Sequence, residues 1–214
     1  DFPNIARQVI NQIGYEGHDF NGKTCSIVTS LKEIPLDRHL RFDERELSSE
    51  EIENIPVRNQ VTVFGFACNQ TPAFMPLPIW LAHKLARRLT SVRFQKILPY
   101  LTPDGKTQIG VEYRDQKPYR IHSITVTASQ NRAGEPDLKK LQDDIREAVI
   151  YPVFHDETIK PDENTRIFVN PDGDLIVGGP ALHSGLTGRK NAIDTYGEYS
   201  RHSGAALSGK DPLR

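Results

Sequence analysis

Three stretches of the chain place apolar residues at the spacing of an α-helix. The first covers residues 3–14 and ends at Gly14, a residue type that commonly terminates helices. The second begins at Pro78 and runs to about Gln95, with apolar residues on one face and most of its basic residues on the other. The third covers 138–149 and follows a Pro-Asp pair that suits a helix start. The pattern predicts three amphipathic helices.

Shorter runs of apolar and β-branched residues predict strands. The sequence Asn170-Pro-Asp-Gly173 has the composition of a hairpin turn. Strands and helices are mixed without the regular alternation of a Rossmann fold, so we predict an α+β fold. The predicted strands are 24–29, 61–68 (a buried strand), 106–113, 119–127, 165–169 and 174–177.

A polar insertion interrupts this pattern at residues 32–56. Acidic and basic side chains crowd its first half, and a short helix capped at Ser48 or Ser49 is predicted in its second half. Charged runs of this kind usually form a solvated surface loop. A long loop within a compact domain is also typical of a mobile lid. Both interpretations remain open from the sequence.

The overall charge gives no indication of binding to nucleic acid or to an anionic membrane. The formal net charge is −1 and the isoelectric point is about 6.7, so no global field favours nucleic acid or an anionic membrane. The two cysteines lack metal-ligand spacing, and the apolar runs are too short to span a bilayer. We therefore expect a cytoplasmic protein. Because the first residue is Asp1 rather than Met, we expect the natural chain to begin further upstream.

The densest chemical signal lies in the last thirty or so residues. Cationic side chains stand there in glycine-bracketed turns, where backbone N–H groups can approach an anion closely. Such a segment suits a polyphosphate. The motifs are Gly185-Leu-Thr-Gly-Arg189-Lys190, Asp194-Thr-Tyr-Gly197 and Ser208-Gly-Lys210-Asp211.

Residues 204–210 also satisfy the P-loop pattern G-x-x-x-x-G-K. A P-loop requires Ser or Thr at the next position to hold Mg²⁺, and this chain has Asp211 there. It must also follow a buried strand, and no apolar run precedes Gly204. The P-loop interpretation is therefore rejected.

In their order along the chain, these motifs resemble those of the methionine adenosyltransferases, also called S-adenosylmethionine synthetases. The resemblance covers nearly the whole chain and is least clear across 32–58. Upstream segments extend it, and the ordered series is far more specific than any one motif. These segments are Ile13-Gly-Tyr15, Phe64-Gly-Phe-Ala-Cys-Asn, Met75-Pro-Leu-Pro-Ile79, Leu101-Thr-Pro-Asp104-Gly-Lys106 and Val177-Gly-Gly-Pro180.

The resemblance implies a fold of pseudo-symmetric repeat domains, each a sheet covered by helices. It divides the chain into the end of an N-terminal repeat domain with the polar loop (1–56), a central domain (57–173) and the start of a C-terminal domain (174–214). It implies transfer of the adenosyl group of ATP to methionine, with release of pyrophosphate and phosphate. It also implies a homo-oligomer, or a complex with a second subunit, in which subunits share active sites.

The resemblance also assigns roles to individual residues. Asp104 and Lys106 match an Asp-x-Lys motif that contacts the triphosphate, and Arg189 and Lys190 match a pair that binds the ATP phosphates. Expected catalytic residues are Lys106, Arg189, Lys190 and Lys210. Expected nucleotide- or triphosphate-binding residues are Asp104, Lys106, Arg189, Lys190, Ala206 and Lys210.

Several positions depart from the family pattern. On the methionine side, Asn59 and His183 each stand where the family has Asp, and Arg214 stands where it has Lys. Leu175 replaces an aromatic nucleotide contact. The family implies Mg²⁺ and K⁺ as cofactors, with their ligands mostly outside this chain. The departures leave two alternatives open: a non-catalytic or partner-dependent homologue that binds nucleotide, and an enzyme that hydrolyses triphosphate or uses another substrate.

Overall fold

The computed structural model describes residues 1–17, 19–31, 45–54, 64–132, 135–176, 178–183 and 190–202. These residues combine helices with a three-stranded sheet, which confirms the predicted α+β class. None of the described helices is both long and apolar enough to cross a membrane. The elements are α1 (Phe2–Ile13), α2 (Ser49–Glu53), α3 (Leu77–Phe94), β1 (Leu101–Arg114), β2 (Lys117–Gln130), α4 (Leu138–Ile145), α5 (Tyr151–Phe154), β3 (Arg166–Val169), α6 (Gly179–Leu182) and α7 (Asn191–Asp194).

A long antiparallel hairpin forms most of the sheet. Strands β1 and β2 pair along most of their length, and β3 adds to β2 in parallel. The hairpin turns at Asp115 and Gln116, which both have left-handed backbone with φ of 49° and 62°. Two-residue hairpin loops favour positive φ because it matches the strand twist, although Gly or Asn usually supplies it.

One face of the hairpin carries the hydrophobic core. Thr107 of β1 donates a hydrogen bond to the carbonyl oxygen of Ala82 at 2.8 Å, which places α3 against this face. Strand residues alternate between faces, so Ile109 and its buried neighbours pack toward the helices. The largest fully buried apolar side chains are Leu81, Leu85, Ile121, Ile124, Leu141, Ile145, Ile150, Val92, Val126, Val149 and Val169.

The helix predictions are confirmed at nearly their expected bounds. Gly14 ends α1 in the left-handed conformation, and Ser48 and Glu51 form a reciprocal capping box at α2. Asp137 caps α4 by accepting from the Lys140 N–H at 2.8 Å. The helical path then continues through a π-helical turn, Arg146–Ile150, into α5, so it extends past the predicted end.

Three predicted strands are wrong in the parts that the structure describes. Residues 24–29 and 64–68 contain no strand, and of 174–176 only Leu175 makes a bridge, to Ser129 of β2. Residues 61–63 and 177 lie outside the described residues. Apolar and β-branched composition marks a segment as able to pair, but a strand also needs a partner edge. In the described residues, 24–29 and 64–68 pair with no strand, and 174–176 meets β2 only at Leu175.

A buried asparagine follows β3. Asn170 is 1% exposed and has a left-handed backbone with φ of 44°. Its Oδ1 accepts from the Ala128 N–H at 2.8 Å, and its Nδ2 donates to the Ala128 carbonyl oxygen at 2.9 Å. The side chain therefore hydrogen-bonds β2 as a strand residue would. The Gly173 N–H donates to Asn170 O at 3.0 Å, so a turn forms as predicted, but the chain leaves beside β2 rather than folding back on β3 as a hairpin.

Replacing Asn170 by Ala should destabilise the protein strongly. The change leaves the buried N–H and C=O of Ala128 without partners, at a cost of roughly 2–4 kcal/mol in the free energy of unfolding. Urea unfolding measures this difference. Asn164→Ala is the matched control, because Asn164 is exposed in the same region. Equal destabilisation by the two substitutions would contradict the role given to the Asn170 amide.

Candidate functional site

A pocket of about 350 Å³ lies where three distant parts of the chain meet. They are the segment after α1, the start of β1 and the segment that leads into α6. The lining residues combine small, aromatic and acidic side chains: Gly14, Tyr15, Glu16, Gly17, Asp19, Phe20, Leu101, Thr102, Pro103, Asp104, Asn131, Ile176, Gly178 and Ala181.

Asp104, one of the predicted nucleotide-binding residues, lies in this pocket. The Tyr15 hydroxyl donates to Asp104 Oδ1 at 2.6 Å, across 89 positions of sequence. On the backbone side, Ser129 Oγ donates to the Asp104 carbonyl oxygen at 2.8 Å. The register of the hairpin shifts between Leu101 and Gly105, so Asp104 lies in an irregular part of β1. Asp104 is thus held through its carboxylate and through its backbone carbonyl oxygen.

Two glycines allow the chain to pass close to that carboxylate. A Cβ atom at Gly178 would lie 3.0 Å from Asp104 Oδ2. At Gly179, which has a φ of 57°, it would lie 2.5 Å from Asp104 Oδ1 and 2.7 Å from the Tyr15 hydroxyl. Only glycine combines this close approach with a left-handed backbone at little cost. The Gly178-Gly179-Pro180 motif therefore has a steric reason in this structure.

The Arg93 guanidinium, near the end of α3, binds the backbone just before Tyr15. Arg93 Nη2 donates to the Ile13 carbonyl oxygen at 2.7 Å, next to the Gly14 cap of α1. Burial raises the pKa of Tyr15 to about 12, helped by the hydrogen bond to Asp104 and opposed by the positive charge of Arg93. The phenol is therefore a stable donor at neutral pH.

The carboxylates of the pocket limit what it can bind. Glu16, Asp19 and Asp104 all line it, whereas Arg93 does not. Carboxylate oxygens accept hydrogen bonds and repel phosphate oxygens. The described pocket therefore suits a group that carries hydroxyl or ammonium donors. A triphosphate instead needs cations such as Lys106 and Lys190, which do not line the described pocket.

Lys106 follows two residues after Asp104 on β1. Its strand neighbours Gly105 and Thr107 face α3, since a Cβ at Gly105 would touch Leu89 and Thr107 bonds Ala82. Alternation places Lys106 on the opposite face of the sheet, where it is exposed. Its cation is thus available to a ligand on that face.

Lys190 precedes α7, in a segment that runs beside α3. His83 Nε2 lies 3.0 Å from the Ile193 carbonyl oxygen, and a Cβ at Gly197 would lie 3.0 Å from Ile79. The Lys190 side chain is exposed. Within the described ranges, the structure gives no hydrogen bond or ion pair that joins Lys190 to Asp104 or Lys106.

The aromatic rings of the following turn fix this segment further. Tyr199 stacks on Tyr113 at the far end of β1, with ring centroids 5.3 Å apart, and Phe66 contacts the edges of Tyr196 and Tyr199. The last described segment is therefore held against the first half of α3 and against the end of β1 that leads into the hairpin turn.

The remaining predicted site residues divide into two groups. His183 is described: it is exposed and follows α6, and its backbone N–H donates to the Gly179 carbonyl oxygen at 2.9 Å. It thus lies close in sequence to the pocket-lining Ala181. The other five lie outside the described residues: Asn59, Arg189, Ala206, Lys210 and Arg214.

The implied Mg²⁺ finds no complete ligand set among the residues described here. In that part of the chain, no group of three or more His, Cys, Asp or Glu side chains could hold a metal ion. Asp104 offers one carboxylate, and one of its oxygens already accepts from Tyr15. Mg²⁺ favours octahedral oxygen coordination, which these described groups do not supply by themselves.

The sequence pattern assigns no separate role to Tyr15 or Arg93. Tyr15 belongs to the Ile13-Gly-Tyr15 segment of the resemblance, and Arg93 is one of several basic residues on α3. The available signal was the Gly-Tyr pair directly after a helix. That pair marks a sharp turn, but it does not reveal which distant carboxylate the hydroxyl meets.

Comparison with known families gives two adjoining matches. Residues 54–175 match the family model described as the S-adenosylmethionine synthetase central domain. Residues 177–214 match the model of the C-terminal domain of the same family. The first match alone covers more than half of the chain.

Three curated relatives carry the name S-adenosylmethionine synthase. The chain is 45% identical over 228 residues to the protein of Thermosynechococcus vestitus, 46% over 226 to that of Microcystis aeruginosa and 44% over 230 to that of Rippkaea orientalis. Each alignment covers 100% of this chain but 54–55% of the relative. The chain therefore spans about half the length of the curated relatives it matches.

Gly179→Ala should destabilise the protein more than Gly173→Ala. Both glycines have positive φ, but nothing lies within 4 Å of a Cβ at Gly173. The control should lose roughly 1 kcal/mol from backbone strain alone, and Gly179→Ala roughly 2–4 kcal/mol because the methyl group also displaces Asp104 and Tyr15. Urea unfolding of the two variants tests this. Similar losses would mean that the approach to Asp104 is not tight.

The contribution of Tyr15 to stability should vanish in alkali. Its pKa is about 12 in the folded protein, against about 10 in the unfolded chain. The folded state therefore retains the phenolic proton more strongly, and the resulting stability is present below about pH 10 and lost as the pH rises toward 12. The stability difference between wild type and Tyr15→Phe, measured by urea unfolding, should shrink over this window. A constant difference would contradict the shifted pKa.

Proposed function

Because this chain belongs to the S-adenosylmethionine synthetase family, we propose that it forms S-adenosylmethionine from ATP and methionine. The methionine sulfur attacks C5′ of ATP, the C5′–O bond breaks, and the triphosphate leaves. The same site then hydrolyses the triphosphate to pyrophosphate and phosphate. The observation that carries the proposal is the contact between Asp104 and the Gly178–Gly179 turn, which joins the Asp-x-Lys segment to the chain that leads into the cationic motifs.

The cations have a clear role in this reaction. The sulfur of the substrate is the nucleophile, so no protein nucleophile is required. Negative charge accumulates on the triphosphate as it leaves, and preorganised cations stabilise that charge mainly in the transition state. We assign this role to Lys106, Arg189, Lys190 and Lys210 as catalytic residues, with Ala206 as a nucleotide contact. Arg189 also serves the hydrolysis of the triphosphate.

Asp104 suits a different part of the nucleotide. Its carboxylate accepts hydrogen bonds, and the neighbouring Glu16 and Asp19 add negative charge to the pocket. We therefore propose that Asp104 binds a donor-bearing part of ATP, while Lys106 on the same strand reaches the phosphates. Asn59, His183 and Arg214 are proposed to lie on the methionine side.

The rest of the assembly follows from the same proposal. The chain divides at residues 56 and 173 into the end of an N-terminal domain, a central domain and the start of a C-terminal domain. Mg²⁺ and K⁺ serve as cofactors, with ligands mostly outside this chain, and subunits share the active sites in a homo-oligomer or with a second subunit. The proposed compartment is the cytoplasm, which supplies ATP and methionine.

A second candidate is a homologue that binds nucleotide or polyphosphate without forming S-adenosylmethionine. Specific residues favour it: Asn59 and His183 have lost the carboxylates expected on the methionine side. Leu175 lies where an aromatic nucleotide contact is expected, and here it bridges Ser129 of β2. These changes fall on substrate recognition, whereas the cations are retained.

An activity assay separates the two candidates. The full-length gene product, alone and with any copurifying subunit, is incubated with ATP, methionine, Mg²⁺ and K⁺, and S-adenosylmethionine and pyrophosphate are quantified by mass spectrometry and an enzymatic assay. Product formation supports the synthetase. Binding of ATP without product supports the second candidate, and release of phosphate without S-adenosylmethionine indicates triphosphate hydrolysis alone.

Lys106→Ala should weaken binding of tripolyphosphate. Loss of one charge-assisted contact predicts roughly a tenfold rise in the dissociation constant. Isothermal titration calorimetry with tripolyphosphate measures it. Lys139→Ala is the matched control, because Lys139 is equally exposed but lies on α4. If both substitutions weaken binding equally, Lys106 acts only through the general surface charge and does not contact the phosphates specifically.

A further inference from the structure

Tyr15 makes the one described side-chain hydrogen bond to the Asp104 carboxylate. The distance is 2.6 Å, and the acceptor is charged while the donor is a phenol. Hydrogen bonds to an ionised group are shorter and stronger than neutral ones. The described residues offer no hydrogen bond to the second oxygen, Oδ2, which faces the backbone of Gly178. One oxygen thus accepts from the phenol, and the other has no hydrogen-bond partner among the described residues.

The tyrosine is itself held in place. Its ring meets the Phe20 ring edge-on, with centroids 5.3 Å apart. Directly before it in sequence, Gly14 takes the left-handed conformation, and Arg93 binds the Ile13 carbonyl oxygen. The hydroxyl therefore has a defined position, set by α1 on one side and α3 on the other.

The opposite side of the carboxylate is closed by backbone. The Gly179 backbone lies so near that a Cβ would reach 2.5 Å from Asp104 Oδ1. A carboxylate between a fixed hydroxyl and a fixed backbone has one orientation available. Without the hydroxyl, the Asp104 side chain could rotate about χ1 and χ2 among its other rotamers.

Building on the function proposed above, we propose that Tyr15 is a positioning residue of the nucleotide site. Its hydroxyl donates to Asp104 Oδ1 and so fixes the orientation in which the carboxylate meets the bound nucleotide. Tyr15 touches no reacting atom in this role and acts only through Asp104. This role differs from simple packing. Tyr15→Phe keeps the packing of the ring but removes the hydroxyl that positions Asp104.

A double-mutant cycle on nucleotide binding tests this. The full-length wild type, Tyr15→Phe, Asp104→Ala and the double variant are titrated by calorimetry with a non-hydrolysable ATP analogue. Tyr15→Phe should weaken binding roughly fivefold to tenfold. In the Asp104→Ala background, Tyr15→Phe should have no further effect, since nothing is left to position. Independent, multiplying effects of the two substitutions would overturn the proposal.

Two controls separate positioning from damage to the fold. Tyr119→Phe removes the hydroxyl of an exposed tyrosine on β2 and should leave the affinity unchanged. Thermal unfolding of every variant shows whether the protein is folded at the temperature of the titration. If Tyr15→Phe is folded and binds the analogue as the wild type does, the hydroxyl has no positioning role.

The cycle also distinguishes failure of this inference from failure of the proposed function. A wild type that forms no S-adenosylmethionine but shows the coupling refutes the synthetase reaction and retains the role of Tyr15. A wild type that forms S-adenosylmethionine but shows no coupling supports the synthetase reaction and refutes the positioning role of Tyr15. A wild type that binds no ATP analogue overturns both.

Discussion

The rest of the site depends on the hydrogen bonds that the Asn170 amide makes to Ala128. This side chain replaces a strand residue at the end of β3 and satisfies a buried N–H and C=O that would otherwise lack partners. The chain can then turn at Gly173 and pass beside β2, where the Gln130 N–H donates to the Leu175 carbonyl oxygen at 2.9 Å. That path brings Gly179 to the Asp104 carboxylate, so a buried amide determines where the pocket closes.

The acidic and the cationic side chains of the site lie in different regions of the described structure. The pocket at the start of β1 is lined by carboxylates and a phenol, and it suits hydrogen-bond donors. The cations Lys106 and Lys190 are exposed outside its lining. Separation is physically useful, because a cation placed against Asp104 would be neutralised by it and would lose its attraction for phosphate. A ligand that carries both hydroxyl groups and phosphates has groups that suit each of the two regions.

Local interactions explain which predictions succeeded. The bounds of α1, α2 and α3 follow from periodicity and from caps such as Gly14 and Ser48, which act within one helical turn. Residues 24–29 have a β-branched composition but form no strand, because a strand also needs an edge to pair with. The two-residue turn at Asp115 and Gln116 was not predicted, because Gln116 is not a usual choice for positive φ, although Asp115 is.

Periodicity, composition and motif order were enough to predict the α+β class, the helices and the series of glycine-bracketed motifs that resembles one family. They also predicted a site role for Asp104, which lines the described pocket. The contact between Asp104 and Tyr15 is visible only in the folded chain, because it joins residues 89 positions apart and no local pattern encodes it. In the same way, the need for glycine at Gly179 is steric and becomes visible only once the neighbouring carboxylate is in place. Short-range rules set the elements, and long-range packing set which side chains meet.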